Sequence, residues 1–418
     1  MKKEQLLDQL GPGLITGVSD DDPSGIATYS QVGAQFGFQM LWTMLFSYPL
    51  MCAIQEISAR IGRVTGKGIA GNIRAHYSRK LLYPVIFLLV VANVVNLGAD
   101  IGAMGAALKL LIGGSAHLYC LLFAVFSVYL QIIVPYSKYV HILKWLTFSL
   151  LAYVATVFAV HVPWGEALKT TVVPSLSFNY SSLQAFIALL GTTISPYLFF
   201  WQASEEVEDE EGNSEDKPLL IAPEQAPSQF ARIRFDTLVG MGVSNLIAFF
   251  IILTTAVTLH AHGKTDIQTA TDAAEALRPI AGNFCFFLFS CGIIGTGLLA
   301  VPVLAGSASY AVAETMQWPY GLERKALEAR GFYAVIAAAT LIGLALNFIG
   351  LDPIKALFWT AILNGVVSVP LLFVIMMISS NREVMGNFIL PRGLKTLGWI
   401  TTIVMTLASI GLLVSSAK

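Results

Sequence analysis

Charge is scarce in this chain. Only 12% of its 418 residues are Asp, Glu, Lys or Arg, and 56% are hydrophobic; a soluble protein has about 25% and about 45–50%. The charges nearly cancel, to a net −1, so the basic field that nucleic acid requires is missing. The four cysteines (Cys52, Cys120, Cys285, Cys291) lie in apolar stretches without ligand-type spacing and read as buried thiols. There is no nucleotide-binding loop, no clustered His/Cys site and no nucleophile–base pair at useful spacing, which excludes an enzyme and leaves no cofactor to expect. No cleavable leader is expected either, because Lys2-Lys3 run through polar residues straight into the first apolar stretch.

What is abundant is long apolar sequence. Eleven windows can each span a bilayer: 9–36, 40–62, 79–110, 117–135, 138–161, 183–205, 232–261, 280–313, 330–349, 353–379 and 394–415. The expected class is an all-α polytopic membrane protein. With the N-terminus cytoplasmic, Lys and Arg crowd one side, including Arg60, Arg63, Arg74, Arg232, Arg234, Arg324, Arg382 and Arg392. The other side keeps essentially Lys169, Lys264, Arg278 and Lys418. An odd number of spans then places the C-terminus outside. All six histidines (His76, His117, His141, His161, His260, His262) fall in loops or at helix ends, so none is placed as a relay at mid-membrane. The acidic run Ser204–Asp216, SEEVEDEEGNSED, reads by default as a solvated cytoplasmic loop, with a cation-attracting vestibule or a metal sensor as the sharper alternative. The sequon at Asn179-Tyr180-Ser181 carries no weight without a secretory context.

Two spans are interrupted at matching positions. Pro23 sits inside the first, in SDDDPSG, and Pro196 inside the sixth, in GTTISPY. Proline removes a backbone donor and clashes with the preceding turn, so each helix must break or kink. Ordinary prolyl kinks are the plainer explanation. A break in the first helix of each five-helix half, one of them next to carboxylates, instead points to an inverted-repeat transporter with its substrate at the breaks. On that reading residues 1–161 form the first repeat, 162–182 an extracellular loop, 183–379 the second repeat with an acidic cytoplasmic loop over 204–231, and 380–418 an eleventh helix. Freed carbonyls together with Asp22 make an oxygen-rich site suited to a metal cation. Asn93, Asn96 and Asp100 recur at i, i+3 and i+7 on the third span, either as a hydrogen-bonded structural stripe or facing a water path. Asn245 and Asn364 are expected chiefly to tie helices together.

Several segments resemble the NRAMP family of divalent-metal transporters: Gly11-Pro12-Gly13, Asp22-Pro23-Ser24-Gly25-Ile26-Ala27-Thr28, Gly33-Ala34-Gln35-Phe36-Gly37, Ile57 to Lys67, and Leu190 to Pro196. The match is specific across the first, second and sixth spans and loose after the seventh. The resemblance implies the LeuT-type fold, a 5+5 inverted repeat plus an eleventh helix, with metal held between broken helices 1 and 6. The departures are informative. The family's Asp-Pro-Gly-Asn reads Asp22-Pro23-Ser24-Gly25, so an asparagine ligand is lost. Its Ala-x-x-Met-Pro-His reads Thr192-Thr193-Ile194-Ser195-Pro196-Tyr197, so a thioether becomes a hydroxyl and a histidine a tyrosine. Its Asp-x-x-Glu reads Asp100-Ile101-Gly102-Ala103, losing a glutamate linked with proton movement.

Soft thioethers favour transition metals, whereas Mg²⁺ takes hard oxygen donors and keeps several waters. The sequence is therefore similar to the NRAMP-related magnesium transporters. The expected ligands are Asp22, Gly25, Thr192 and Ser195, with Asp20, Asp21, Asn93, Asn96, Asp100, Tyr197, Asn245 and Asn364 along the ion path or behind it. The expected activity is uptake of Mg²⁺, and of Mn²⁺, by alternating access without obligatory proton coupling, with Ca²⁺ a poor substrate. The alternatives are a proton-coupled Mn²⁺/Fe²⁺ symporter, an organic-substrate carrier, or a sensor or channel switched by the acidic run. Divalent cation and bilayer are the expected partners, in a monomer of the plasma membrane.

Overall fold

The computed structural model describes residues 12–134, 146–175 and 177–416, and among them every regular element is helical. The main helices are α1 (Pro12–Asp20), α2 (Pro23–Phe36), α3 (Trp42–Thr65), α4 (Ile69–His76), α5 (Arg79–Ile112), α6 (Ala116–Ile133), α7 (Leu151–Ala159) and α8 (Trp164–Val172). They continue with α9 (Tyr180–Thr193), α10 (Pro196–Gly212), α11 (Ala226–Thr258), α12 (Cys285–Met316), α13 (Arg330–Leu346), α14 (Pro353–Ser380) and α15 (Arg392–Ser416). Seven described segments are long and apolar enough to cross a membrane, the α9–α10 pair among them. The first part of the expected fifth span, 138–161, and His141 lie outside the described residues; α7 covers its end.

Both expected breaks are present and have the same build. α1 stops at Asp20 and α2 begins with Pro23; α9 stops at Thr193 and α10 begins with Pro196. A proline forces the residue before it out of the helical region, and Asp22 (φ −67°, ψ 170°) and Ser195 (φ −81°, ψ 130°) are both extended. The proline then opens the next half-helix, where its missing N–H costs nothing. After α2 the chain turns by 108° into α3, helped by Gly37 at φ +58°.

Two expectations are corrected. The stretch 162–182 is not a plain loop: it contains α8, and α9 starts inside it, capped by the Asn179 side chain on the Ser182 amide at 2.8 Å. The acidic run is not a solvated loop either. α10 carries it to Gly212, with Glu206 and Glu210 buried. Glu206 is paired with Arg232 of α11, and the fully buried Arg63 of α3 meets Asp216 at 2.7 Å. Glu208 accepts from the Tyr310 hydroxyl at 2.6 Å and the Leu322 amide at 2.8 Å. Alternate faces of one helix thus separate pinned from exposed carboxylates, which a run of like charges conceals. Beyond it the chain folds back on α3, the Leu219 and Leu220 amides donating to the Arg63 and Val64 carbonyls.

The broken pairs lie at the centre of the bundle. α1 and α2 pack on α11, α9 on α14, and α10 against α3 and α12. The α9–α14 contact is backbone on backbone: a Cβ at Gly191 would stand 2.0 Å from the Ala361 carbonyl oxygen. Gly191→Val is therefore expected to force the helices apart, at a cost of about 3 kcal/mol. A clear drop in melting temperature of the purified protein checks this; an unchanged melt would refute it.

Candidate functional site

Asp22 closes the gap between α1 and α2 by capping α2. Its Oδ1 accepts from the Ser24 hydroxyl and the Gly25 amide, both at 2.7 Å, the usual bonding of an aspartate at this position. Its Oδ2 is reached from elsewhere: Asn96 Nδ2 of α5 donates at 3.0 Å, and the Tyr197 hydroxyl of α10 lies 3.4 Å away, its one proton shared with the nearer Ser19 carbonyl at 3.0 Å. One carboxylate therefore joins both breaks and α5.

Across the gap, Ser195 shares its one hydroxyl proton between the Gly191 and Thr192 carbonyls at 2.9 and 2.8 Å, leaving its lone pairs for other partners. Gly25 faces Thr192: a Cβ there would sit 3.2 Å from Thr192 Oγ1 and 3.3 Å from the Asp20 carbonyl oxygen. The four residues expected as ligands thus belong to one place, and all are buried.

Three more carboxylates surround it. Asp100 lies one turn beyond Asn96 on α5, fully buried against the Ser24 backbone amide, and among the described residues neither of its oxygens has a well-formed hydrogen bond. Asn96 Oδ1 is likewise unpaired among the described residues. Asp20 and Asp21, at the C-terminal end of α1, share one donor: the Ser244 hydroxyl of α11 lies 2.7 Å from Asp20 Oδ2 and 3.1 Å from Asp21 Oδ1. Among the described residues, no Lys or Arg forms an ion pair with any of these four aspartates, and no group of three His, Cys, Asp or Glu has metal-holding geometry.

The other polar residues divide. Asn93 Nδ2 donates to the Leu304 carbonyl at 3.1 Å and Asn245 Nδ2 to the Met44 carbonyl at 2.9 Å, so both tie helices together. Asn364 is buried on α14, its Nδ2 unpaired among the described residues. Sequence reasoning singled out Asn245 and passed over its neighbour Ser244, which meets two carboxylates. A lone serine in an apolar helix gives no signal until the facing helix is known.

An all-helical, multi-pass membrane protein with paired central breaks is the LeuT-type architecture, a 5+5 inverted repeat with an eleventh helix. The sequence profile of the Nramp family, natural resistance-associated macrophage protein-like, matches residues 13–415, and the chain belongs to that family. A crystal structure of the manganese transporter of Eremococcus coleocola is similar at 19% identity, over 98% of this chain and 87% of that one, with a TM-score of 0.74. The fold extends to Mhp1, a nucleobase-cation-symport-1 transporter (13% identity, 97% and 91% covered, TM-score 0.62). It also extends to MhsT, crystallised with L-phenylalanine (12% identity, 96% and 98% covered, TM-score 0.62).

Proposed function

We propose that this chain is a divalent-cation transporter of the magnesium-carrying kind, moving Mg²⁺ and also Mn²⁺ by alternating access between α1–α2 and α9–α10. The observation that carries this reading is the composition of the gap: Asp22, Thr192 and Ser195 bring oxygens to it, and Gly25 adds no side-chain ligand of its own. Buried carboxylates without basic partners favour a cation as their counter-charge. A donor set with few converging protein ligands suits an ion that retains water, as Mg²⁺ does. Asp20, Asp21 and Asp100 bring further carboxyl oxygens close to the breaks. Two charges moved through 100 mV are worth about 4.6 kcal/mol, more than a thousandfold in concentration, so uptake needs no proton coupling. The protein is placed in the plasma membrane as a monomer, with the basic end of the bundle cytoplasmic.

The test is flux into proteoliposomes: Mg²⁺ at millimolar concentration is expected to compete with Mn²⁺ uptake, and absence of competition overturns the magnesium reading. The likeness to a manganese transporter favours a second reading, a proton-coupled Mn²⁺ symporter. Metal-driven acidification of the lumen would establish that reading in place of the uncoupled one.

A further inference from the structure

Near the start of α15, helices α3, α11 and α15 leave a groove of about 430 Å³ open at the surface of the bundle. On α3 it is lined by Tyr48, Cys52, Glu56 and Arg60, a stripe at four-residue spacing that covers about 18 Å of helix. Arg234 and Leu238 of α11 and Gly393, Leu394 and Leu397 of α15 form the remaining walls. The groove is graded. Arg60 and Arg234 lie toward the ends of α3 and α11 that meet the start of α15, and the apolar side chains lie deeper.

Its charges are unequal. Arg60 is held by Glu56, with N–O distances of 2.7 and 2.9 Å, and lies 4.2 Å above the Phe230 ring, so that pair is neutral and fixed. Arg234 is exposed and has no hydrogen bond or ion pair among the described residues. One uncompensated guanidinium therefore stands at the mouth of an apolar slot. The first turn of α15, whose amides favour anions, forms the opposite wall.

We propose that this groove holds one anionic membrane phospholipid, with its phosphate on Arg234 and the start of α15 and an acyl chain along Tyr48, Leu238 and Leu397. The charge complementarity favours a phosphodiester, and the apolar length below it favours one still carrying its acyl chains. A guanidinium between transmembrane helices at the membrane boundary is suited to such a headgroup.

The test uses the purified full chain in detergent, with phosphatidylglycerol or phosphatidylcholine added, read by melting temperature and by native mass spectrometry. Phosphatidylglycerol is expected to raise the melting temperature by several degrees more than phosphatidylcholine and to stay bound at one per chain. Arg234→Gln should remove that difference and Arg234→Lys should keep most of it; the exposed Arg324→Gln should keep all of it. A Cβ on Gly393 would meet nothing within 4 Å, so Gly393→Leu fills the groove without touching an arginine and should also abolish retention. Equal effects of the two lipids would overturn the proposal, as would a retained response in both Arg234→Gln and Gly393→Leu. Inorganic phosphate reproducing the shift would assign the site to a free anion, and a dimer lost in Gly393→Leu would assign the groove to a second copy; either result overturns the lipid.

Discussion

Asp22→Asn is expected to lose at least about 100-fold of Mg²⁺ uptake, about 2.7 kcal/mol, while melting within about 2 °C of the parent. The two halves of this result rest on the two sides of one carboxylate. Asparagine caps a helix as well as aspartate does, so its Oδ1 can keep the Ser24 and Gly25 donors that start α2. On the other side, its amide nitrogen would face Asn96 Nδ2 and the Tyr197 hydroxyl. Both can adjust: Asn96 can turn its unpaired Oδ1 inward, and a tyrosine hydroxyl accepts as readily as it donates. What cannot be replaced is the charge, since no other group on α2 offers an anion to a cation between the breaks. Asp22→Ala should lose transport equally and also lose the cap, for a further cost of about 1 kcal/mol. Uptake at the parental rate by Asp22→Asn in proteoliposomes would remove Asp22 from the ion's charged ligands.

The breaks were legible because proline acts locally: Pro23 and Pro196 dictate the conformation of Asp22 and Ser195 whatever lies around them. That Asp22 would cap α2 was also within reach of local rules, since Asp-Pro-Ser-Gly places a short acceptor one residue before a proline. The rest of the site is non-local. Asn96, Tyr197 and Ser244 meet the aspartates across 74, 175 and 223–224 residues of chain, and no periodicity encodes such distances. The same limit hid the nature of the acidic run. Its charge density reads as solvated, yet Arg232 and Tyr310, each far along the chain, hold Glu206 and Glu208 in place. Asn93 and Asn245 show the converse: both were noticed for being polar in apolar helices, and both satisfy backbone carbonyls of neighbouring helices.

The combined variant Gly25→Asn with Ser195→Met is expected to turn the site toward transition metals, with Mg²⁺ uptake falling at least about tenfold, or about 1.4 kcal/mol, while Mn²⁺ uptake persists. The methionine removes the one hydroxyl proton that Ser195 shares between two carbonyls of its own helix end, a loss of about 1 kcal/mol in stability, and puts a polarizable sulfur where a hydroxyl stood. The asparagine must fit where a Cβ already meets Thr192 Oγ1 at 3.2 Å and the Tyr29 ring at 3.3 Å, so its side chain crowds the gap and adds an amide ligand to it. A cation entering the altered gap would have to shed more of its shell and accept a soft donor in exchange. Mn²⁺ tolerates that exchange better than Mg²⁺, which dehydrates reluctantly and gains little from sulfur. The readout is competition: millimolar Mg²⁺ should no longer slow Mn²⁺ uptake by the double variant, and Gly25→Asn alone should lie between it and the parent. If Mg²⁺ competes with the double variant as strongly as with the parent, the missing side chain at Gly25 and the hydroxyl of Ser195 do not set the preference, and selectivity must reside with Asp20, Asp21 and Asp100.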